Sequence, residues 1–437
     1  MIAAAALCAA IGAAAPIAPS AAPPATAVTA PAVPPPAQVT LAEVFRLLRE
    51  ASPRTAAERG ALGIAAAEGV AARVLPNPVL DYDGTFLHHG ANTGSADSSD
   101  LAIEQPLLLF GQRGARTRSA DLALQAATSG VAAAHAERAR RARAAFVTLL
   151  ARQERVGLLD AARLELERVA HVVTARAEAG EKSRYDALRI TLELRTREAD
   201  LAAARAETEA SAGELAAAIG LPAWRPEAAG TLEPLGLAGS DEAALWADAS
   251  AALPDLVAAR RDEAAARGDV ERERRERLPV PVLTAGGQFT HDEESTSYIA
   301  GLAIPLPVFD RGQGELARAG ARADAAALEV AARSAEARAD LHSALGILRT
   351  RRDALDALDR DVIGRLPEVA RMSEDAYHEG QADILDLLDA QRARTGALLT
   401  RLDALEAVAQ AEGDVLALTG RIEEAPGDSG TLLPHGP

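Results

Sequence analysis

The chain has 437 residues, and its 46 basic side chains are outnumbered by 63 acidic ones, which gives a formal net charge of −17. A balance this acidic argues against nucleic-acid binding, because domains that bind nucleic acid usually present a basic face. The single cysteine, Cys8, excludes an intramolecular disulfide bond and a cysteine-based metal site.

The amino-terminal residues have the composition of a secretory signal peptide. Residues 1–15 are almost entirely apolar, and residues 16–37 are rich in proline and alanine. An Ala-x-Ala pattern at Ala25-Thr26-Ala27 is a candidate cleavage site. We therefore expect a signal peptide over 1–27 and a Pro/Ala-rich leader over 28–38. No later segment is a run of about 20 apolar residues, so no transmembrane helix is predicted.

The rest of the chain is a tandem duplication. A proline-flanked apolar segment, a phenylalanine and two glycines recur in the same order about 200 residues later. The last three landmarks are Phe110 with Phe309, Gly180 with Gly380, and Gly220 with Gly420. We divide the chain accordingly into a first repeat over 39–235 and a second repeat over 236–422, followed by a disordered tail over 423–437.

Long helices dominate both repeats. A helix over 56–73, and over 256–277 in the second repeat, ends at a Pro-x-Pro pair because proline cannot continue a helix. Much longer helices are predicted over 112–179 and 314–379, and a further helix follows the glycine that ends each of them. A helix of about 65 residues is roughly 100 Å long. Such lengths are typical of coiled coils or helical repeats.

Two strand hairpins lie between these helices, over 79–106 and 280–305. In the first strand Leu80 and Tyr82 share one face, whereas Asp81 lies on the other. The other three strands alternate in the same way. Each strand has about ten residues, which is the length that a tilted membrane strand needs. Apolar residues outside and polar residues inside are typical of membrane β-barrels.

The hairpins have two possible interpretations. They could belong to a soluble protein in which they pack on helices, or they could be strands of a membrane β-barrel. One chain supplies only four strands, and the smallest membrane barrels have about eight. A barrel would therefore require several copies of the chain, and three copies would supply twelve strands.

Two motifs carry a family resemblance. Gly380 is followed by Asp-x-Leu-Asp-Ala-Gln over 386–391, and residues 304–314 read Ile-Pro-Leu-Pro-Val-Phe-Asp-Arg-Gly-Gln-Gly. The first motif, in a duplicated chain of hairpins and long helices, resembles the TolC-like outer-membrane efflux proteins from about residue 39 to residue 422. The second motif is similar to the CzcC-like branch, which serves heavy-metal cation efflux.

The resemblance implies a mainly α fold with a small membrane β-barrel. Tandem-duplicated helical hairpins would form an α-helical barrel through the periplasm. Four β-strands per chain would contribute to the 12-stranded barrel of a homotrimer, in contact with outer-membrane lipid in a Gram-negative bacterium. The implied partners are a periplasmic adaptor protein and an inner-membrane pump of the RND type. The implied function is a passive exit duct, with heavy-metal cations as favoured cargo and drugs, solvents or peptides as the alternative.

The resemblance also implies a set of pore residues at the periplasmic tip. Four positions match the family's closing network, namely Asp386 and Asp389 as aperture aspartates, together with Tyr377 and Asp186. Gly180 and Gly380 mark the tip turns, where the adaptor would dock, and glycine suits such turns because it adopts positive φ. The chain departs from the family pattern at Ala382, where well-known members carry an arginine. Arg184 is the candidate substitute.

The aspartate pair also has an explanation that needs no channel. Asp386 and Asp389 are three residues apart, so they share one face of a helix. Carboxylates near a helix N-terminus are favoured by about 0.3–1 kcal/mol. Threefold symmetry would instead arrange them in rings of carboxylates, which select cations at a constriction.

No other motif predicts chemistry. The sequence has no Ser/His/Asp arrangement, phosphate-binding loop or HExxH motif, so we expect neither an enzyme nor a cofactor. His88, His89 and His291 fall in the hairpin tips, where we expect solvated loop residues and no metal site. The alternative interpretation of the whole chain is a soluble periplasmic coiled-coil scaffold or adaptor.

Overall fold

The computed structural model describes residues 35–86, 98–179, 183–290, 295–379 and 381–424. The helices in these ranges are α1 Leu41–Glu50, α2 Pro53–Arg73, α3 Gln112–Glu178, α4 Arg184–Ile219, α5 Glu242–Ala252, α6 Pro254–Glu276, α7 Gln313–Asp361, α8 Leu366–His378 and α9 Ile384–Leu418. The strands are β1 Gln38–Val39, β2 Val79–Thr85, β3 Ser98–Pro106, β4 Glu227–Ala228, β5 Val282–Thr290 and β6 Ser295–Ala303. The predicted signal peptide lies outside the described residues, as do residues 425–437.

The same order of elements occurs twice along the chain. Helix α2, strands β2 and β3, and helices α3 and α4 are followed by α6, β5 and β6, α7 with α8, and α9. The prediction of a mainly helical, duplicated fold is therefore confirmed. None of the described helices contains a stretch that is both long and apolar enough to span a membrane.

The long helix of the second repeat is interrupted, so the prediction of one helix over 314–379 is wrong. Helix α7 ends at Asp361, a 3-10 turn covers Ile363–Arg365, and α8 starts at Leu366. Pro367 explains the break, because it lies in the first turn of α8 and cannot donate the backbone hydrogen bond that a continuous helix needs. The corresponding helix α3 runs unbroken for 67 residues.

Shorter helices meet end to end beside the long ones. Gly220 caps α4 with a φ of 89°, and a Cβ atom there would lie 3.1 Å from Cδ of Pro53, at the start of α2. Gly420 follows α9 with a φ of 73°, and its Cβ atom would lie 3.2 Å from the Ala252 carbonyl oxygen, just before α6. Each repeat thus contains a stacked pair of helices, which we call the α4/α2 stack and the α9/α6 stack.

The two long helices have different neighbours. Helix α3 packs against both stacks, with α2 and α6 along its first half and α4 and α9 along its second half. Helix α7 packs against α6 and α9, which belong to a single stack. The described helices therefore form a layer with two edges, the α4/α2 stack at one edge and α7 with α8 at the other.

The largest hydrophobic core lies about halfway along this layer. Phe45 and Leu48 of α1 pack there with Phe146 and Leu149 of α3 and with residues of α4, α7 and α9. Strands β1 and β4 pair in parallel beside this core. Trp224 joins it and donates a 2.9 Å hydrogen bond from its indole nitrogen to the Pro36 carbonyl. This core holds together the middle of the helical layer, between the sheet at one end and the helical tip at the other.

The remaining strands form one antiparallel sheet in the order β2-β3-β5-β6. Its register opposes Leu80 to Ile103, Ile103 to Ala285, and Ala285 to Ala300. The apolar faces predicted for the four strands therefore lie on the same side of the sheet. Large side chains of that face are exposed, namely Leu80, Tyr82, Leu101, Leu283, Phe289, Tyr298 and Leu302.

Candidate functional site

The helical end opposite the sheet brings the predicted tip residues together. A hydrophobic cluster joins α3, α4, α8 and α9 there, and we call it the tip cluster. Its members are Leu166, Ala170, Val173, Ile190, Tyr377, Ile384, Leu387 and Leu388. The predicted turn glycines, Gly180 and Gly380, lie outside the described residues. The tip cluster holds the start of α9 against the end of α3 and the start of α4.

Asp386 stabilises the start of α9. The Asp383 carboxylate accepts hydrogen bonds of 2.8 Å from the amide of Leu385 and 3.0 Å from the amide of Asp386. Asp386 completes this capping box by accepting a 3.1 Å bond from the amide of Asp383. The interpretation of Asp386 as a helix N-terminal carboxylate therefore matches its contacts, while its exposed side chain remains accessible.

Asp389 lies one turn further along the same face of α9. Its side chain is 72% exposed, and one oxygen lies 3.1 Å from the Nη1 atom of Arg392. Two exposed carboxylates thus project from the first turns of α9, and one of them is paired with an arginine.

Tyr377 and Asp186 lie near each other across the tip. Tyr377 is 6% exposed and belongs to the tip cluster, while Asp186 lies in the first turn of α4 behind the capping residue Ser183. The pKa of the Tyr377 phenol is raised, because burial and the Asp186 carboxylate both disfavour the phenolate, with Arg176 acting in the opposite direction. These two predicted residues therefore interact within one chain.

The structure assigns no partner to Arg184 that would replace the arginine missing at Ala382. Arg184 lines a shallow groove with Glu178 and Leu188, and it forms no ion pair within the described part of the chain. Its role as a substitute stays a prediction.

Sequence reasoning missed the ion pairs that join α9 to α3 and α4. The buried Glu193 of α4 accepts a 3.0 Å hydrogen bond from Nε of Arg392 and a second bond from Nη2 of the same guanidinium. The pKa of Glu193 is lowered, first by these hydrogen bonds and then by the charges of Arg392, Arg197 and Arg189. The spacing of Glu193 and Arg197 was visible in the sequence, but nothing in it paired α4 with α9.

A second polar contact holds α9 from the side of α3. Glu165 accepts a 3.0 Å hydrogen bond from Gln391 and bonds of 3.1 and 3.2 Å from Arg394. In the described residues, no group of three or more His, Cys, Asp or Glu side chains is arranged to bind a metal ion. His88, His89 and His291 lie outside those residues. The tip is therefore a set of ion pairs around two exposed carboxylates.

Solved structures with this fold are outer-membrane proteins. The outer membrane protein VceC of Vibrio cholerae superposes with a TM-score of 0.69 at 17% identity, covering 87% of this chain and 96% of that one. The open state of the Neisseria gonorrhoeae MtrE outer membrane channel gives a TM-score of 0.68 at 20% identity, covering 87% and 89%. The chain therefore has the same fold as these two proteins.

The sequence comparisons find similarity to outer-membrane efflux proteins. Residues 245–421 match the family model described as outer membrane efflux protein. The chain is also 28% identical over 351 residues to the cobalt-zinc-cadmium resistance protein CzcC of Cupriavidus metallidurans, covering 80% of this chain and 82% of that protein. The predicted resemblances to TolC-like outer-membrane efflux proteins and to CzcC-like proteins are therefore confirmed.

Proposed function

We propose that the chain is the exit duct of a tripartite efflux system and forms a homotrimer in the outer membrane of a Gram-negative bacterium. It would conduct cargo passively from an RND-type pump and a periplasmic adaptor to the exterior. Heavy-metal cations are the proposed cargo, because CzcC is a cobalt-zinc-cadmium resistance protein. Drugs, solvents or peptides are the alternative cargo.

The observation that carries this proposal is the exposed apolar face of the four-stranded sheet. Side chains such as Tyr298 and Leu302 lie on that face and are accessible in the single chain. Apolar area exposed to water is unfavourable by about 25 cal/mol per Å², so contact with lipid accounts for this face. Four strands cannot close a membrane barrel, whereas three copies would supply the twelve strands that a closed barrel requires.

The edges of the helical layer support association of several copies. Most large apolar side chains that are exposed on helices belong to the edge helices, namely Ile64, Val70, Tyr185, Leu188, Leu192, Leu328, Ile347, Val369 and Met372. Every residue of helix α6 lies in the described part of the chain, and none of its large apolar side chains is exposed. Helix α9 exposes only Leu385. Exposed apolar stripes at two opposite edges are what a ring of identical copies would cover.

The duplication indicates how the copies would meet. Inside one chain, α3 lies between the α4/α2 stack of its own repeat and the α9/α6 stack of the other. Helix α7, its counterpart, packs mainly against the α9/α6 stack of its own repeat. The α4/α2 stack of a second copy would occupy the free side of α7 and α8, and repetition of this contact would close a tunnel.

At the tip, threefold symmetry would arrange Asp386 and Asp389 in rings around the channel axis. Rings of carboxylates attract cations and select them at a constriction. Tyr377 and Asp186 would hold this aperture closed, and the turns at Gly180 and Gly380 would contact the adaptor.

Membrane fractionation of the tagged full-length chain tests the proposal. We expect a trimer in the outer-membrane fraction that resists urea extraction and keeps its size in mild detergent. Amino-terminal sequencing of that material should show removal of residues 1–27. Recovery as a soluble periplasmic species would contradict the channel and favour a scaffold.

Cargo requires a separate experiment in cells. Expression with a cation pump and its adaptor should raise resistance to cobalt, zinc and cadmium in a strain that lacks its own outer-membrane duct. Raised resistance to drugs or solvents, with no change for the metals, would keep the channel and overturn the cargo.

A further inference from the structure

Four charged side chains form an alternating row from the buried side of α4 to the exposed face of α9. The Nη2 atom of Arg197 lies 3.3 Å from an oxygen of Glu193, and Glu193 binds the Nε and Nη2 atoms of Arg392. The remaining Nη1 atom of Arg392 lies 3.1 Å from Asp389. Arg392 therefore joins a buried carboxylate to a proposed aperture carboxylate.

The two carboxylates bind Arg392 unequally. Glu193 takes two of its nitrogens in a bidentate arrangement, which is the stronger geometry for an arginine and a carboxylate. Glu193 is nearly buried, and the lowered pKa of its carboxyl group keeps it ionised. Asp389 is largely exposed, so water screens its single contact with Arg392. Most of the guanidinium charge is therefore balanced by Glu193 and not by Asp389.

We propose that Glu193 is a positioning residue of the aperture, which holds Arg392 against α4 and so leaves Asp389 with a net negative charge facing the pore. This inference rests on the proposed channel function. Without the Glu193 carboxylate, Arg392 would be free to pair fully with Asp389 and cancel its charge. Glu193 would thus set the cation selectivity of the channel without touching the cargo.

The same face of α4 carries the other tip contacts. Asp186, Ile190, Glu193 and Arg197 follow one another at helical spacings of three or four residues. Asp186 acts on Tyr377, Ile190 lies in the tip cluster, and Glu193 binds Arg392. Glu165 of α3 binds Gln391 and Arg394 on either side of Arg392. Helix α9 is consequently fixed at the height where Asp389 projects.

Ion selectivity of the full-length trimer in planar lipid bilayers tests the proposal, with the cation-to-anion permeability ratio taken from the reversal potential in a salt gradient. Asp389→Asn is the reference and should lower this ratio. Glu193→Gln should lower the ratio to a similar extent. Combining Glu193→Gln with Asp389→Asn should lower it no further than either change alone. Glu198→Gln is the matched control, because Glu198 is a carboxylate of α4 that pairs with Arg195 away from α9. It should leave the ratio unchanged.

A rescue separates positioning from a general loss of structure. Glu193→Gln combined with Arg392→Gln removes both charges of this ion pair, so neither partner is left unpaired, and it leaves Asp389 without a counter-charge. We expect the permeability ratio to return to the wild-type value or to exceed it. Wild-type selectivity in Glu193→Gln would overturn the role of Glu193 while leaving the channel intact. So would a permeability ratio that stays low when Glu193→Gln is combined with Arg392→Gln. A wild-type protein that does not conduct would overturn the proposed function itself, and the inference with it.

Discussion

The two long helices have the same place in the duplication but different surroundings. Helix α3 is unbroken, lies between two stacks, and makes ion pairs to both, from Arg116 to Glu276 in the α9/α6 stack and from Arg138 to Glu58 in the α4/α2 stack. Its counterpart is divided into α7 and α8, has a stack on one side, and exposes Ile347, Val369 and Met372. A duplicated sequence can therefore supply both the interior and the edge of one layer.

The first prediction concerns the contact between copies at the edge formed by α4. Leu188→Asp introduces a charge into the exposed stripe of α4, where the side chain is 61% exposed in the single chain. If a second copy covers this stripe, a buried unpaired carboxylate will prevent association. We expect loss of the trimer in size-exclusion chromatography with light scattering.

Leu164→Asp is the matched control, because Leu164 is also exposed but belongs to α3, which has neighbours on both sides within the chain. It should leave the trimer intact. A trimer that survives Leu188→Asp would show that this edge does not form the contact between copies.

The second prediction compares two positions on α7. Leu345 is 0% exposed in the central core, and Leu345→Ala should lower the free energy of unfolding by about 2–5 kcal/mol. Leu328 is 71% exposed on α7, and Leu328→Ala should cost about 0.5 kcal/mol or less in a separated chain.

Urea unfolding at fixed protein concentration measures both effects, in the trimer and in the monomeric Leu188→Asp form. The cost of Leu345→Ala should be similar in the two forms, whereas Leu328→Ala should become costly only in the trimer. Equal costs of Leu328→Ala in both forms would remove this residue from the proposed interface.

The third prediction concerns the break between α7 and α8, which α3 does not have. Pro367→Ala supplies a backbone donor for the carbonyl of Ile363 and removes the clash that ends the helix. We expect slower amide hydrogen exchange over residues 362–367. The gain in stability should be smaller than the roughly 3 kcal/mol of an internal proline, because Pro367 already occupies a first helical turn.

Pro254→Ala is the control, since the non-helical residue Leu253 (φ −59°, ψ 118°) separates α5 from Pro254, so a new backbone donor there would not join the two helices. Exchange there should not change. Unchanged exchange around Pro367→Ala would mean that packing, and not proline, divides the second long helix.

The smallest expected effect concerns Tyr377 and pH. Its raised pKa means that folding favours the neutral phenol, so this contribution to stability is complete below the unfolded pKa of about 10. The contribution is lost as the pH rises through the higher pKa of the folded state. Tyr377→Phe should abolish this loss of stability at alkaline pH, which hydrogen exchange of the last turn of α8 measures. Tyr185→Phe is the control, because Tyr185 is an exposed tyrosine of α4, and it should not abolish the loss. A loss that persists in Tyr377→Phe would belong to another group.

Much of this fold could be predicted from the sequence, because local rules dominate it. Glycines with positive φ and Pro-x-Pro pairs limit the helices, and the alternation of Leu80, Asp81 and Tyr82 gives the faces of the sheet. The break at Pro367 was missed, although it follows the same rule as the other prolines. The duplication favoured a single helix, because the corresponding stretch 112–179 of the first repeat contains no proline.

The tip was predictable only in part. The family motif indicated Asp386, Asp389, Tyr377 and Asp186, and the structure brings the last two together. The contacts of Glu193 with Arg392 and of Glu165 with Arg394 join residues about 200 positions apart. Such pairings depend on how α3, α4 and α9 pack, and charged residues at helical spacing are too common to reveal them.

The end-to-end joints at Gly220 and Gly420 have a mechanical consequence. Helix α9 meets α6 there, and α4 meets α2, through van der Waals contact and without a continuous backbone. A rotation of α9 or α4 about its own axis is therefore not transmitted as torsion to the helix beyond the joint. Helix α3 has no such joint and resists twisting along its whole length. We therefore expect a rotation of α4 or α9, once their tip contacts are broken, to leave the sheet at the far end undisturbed.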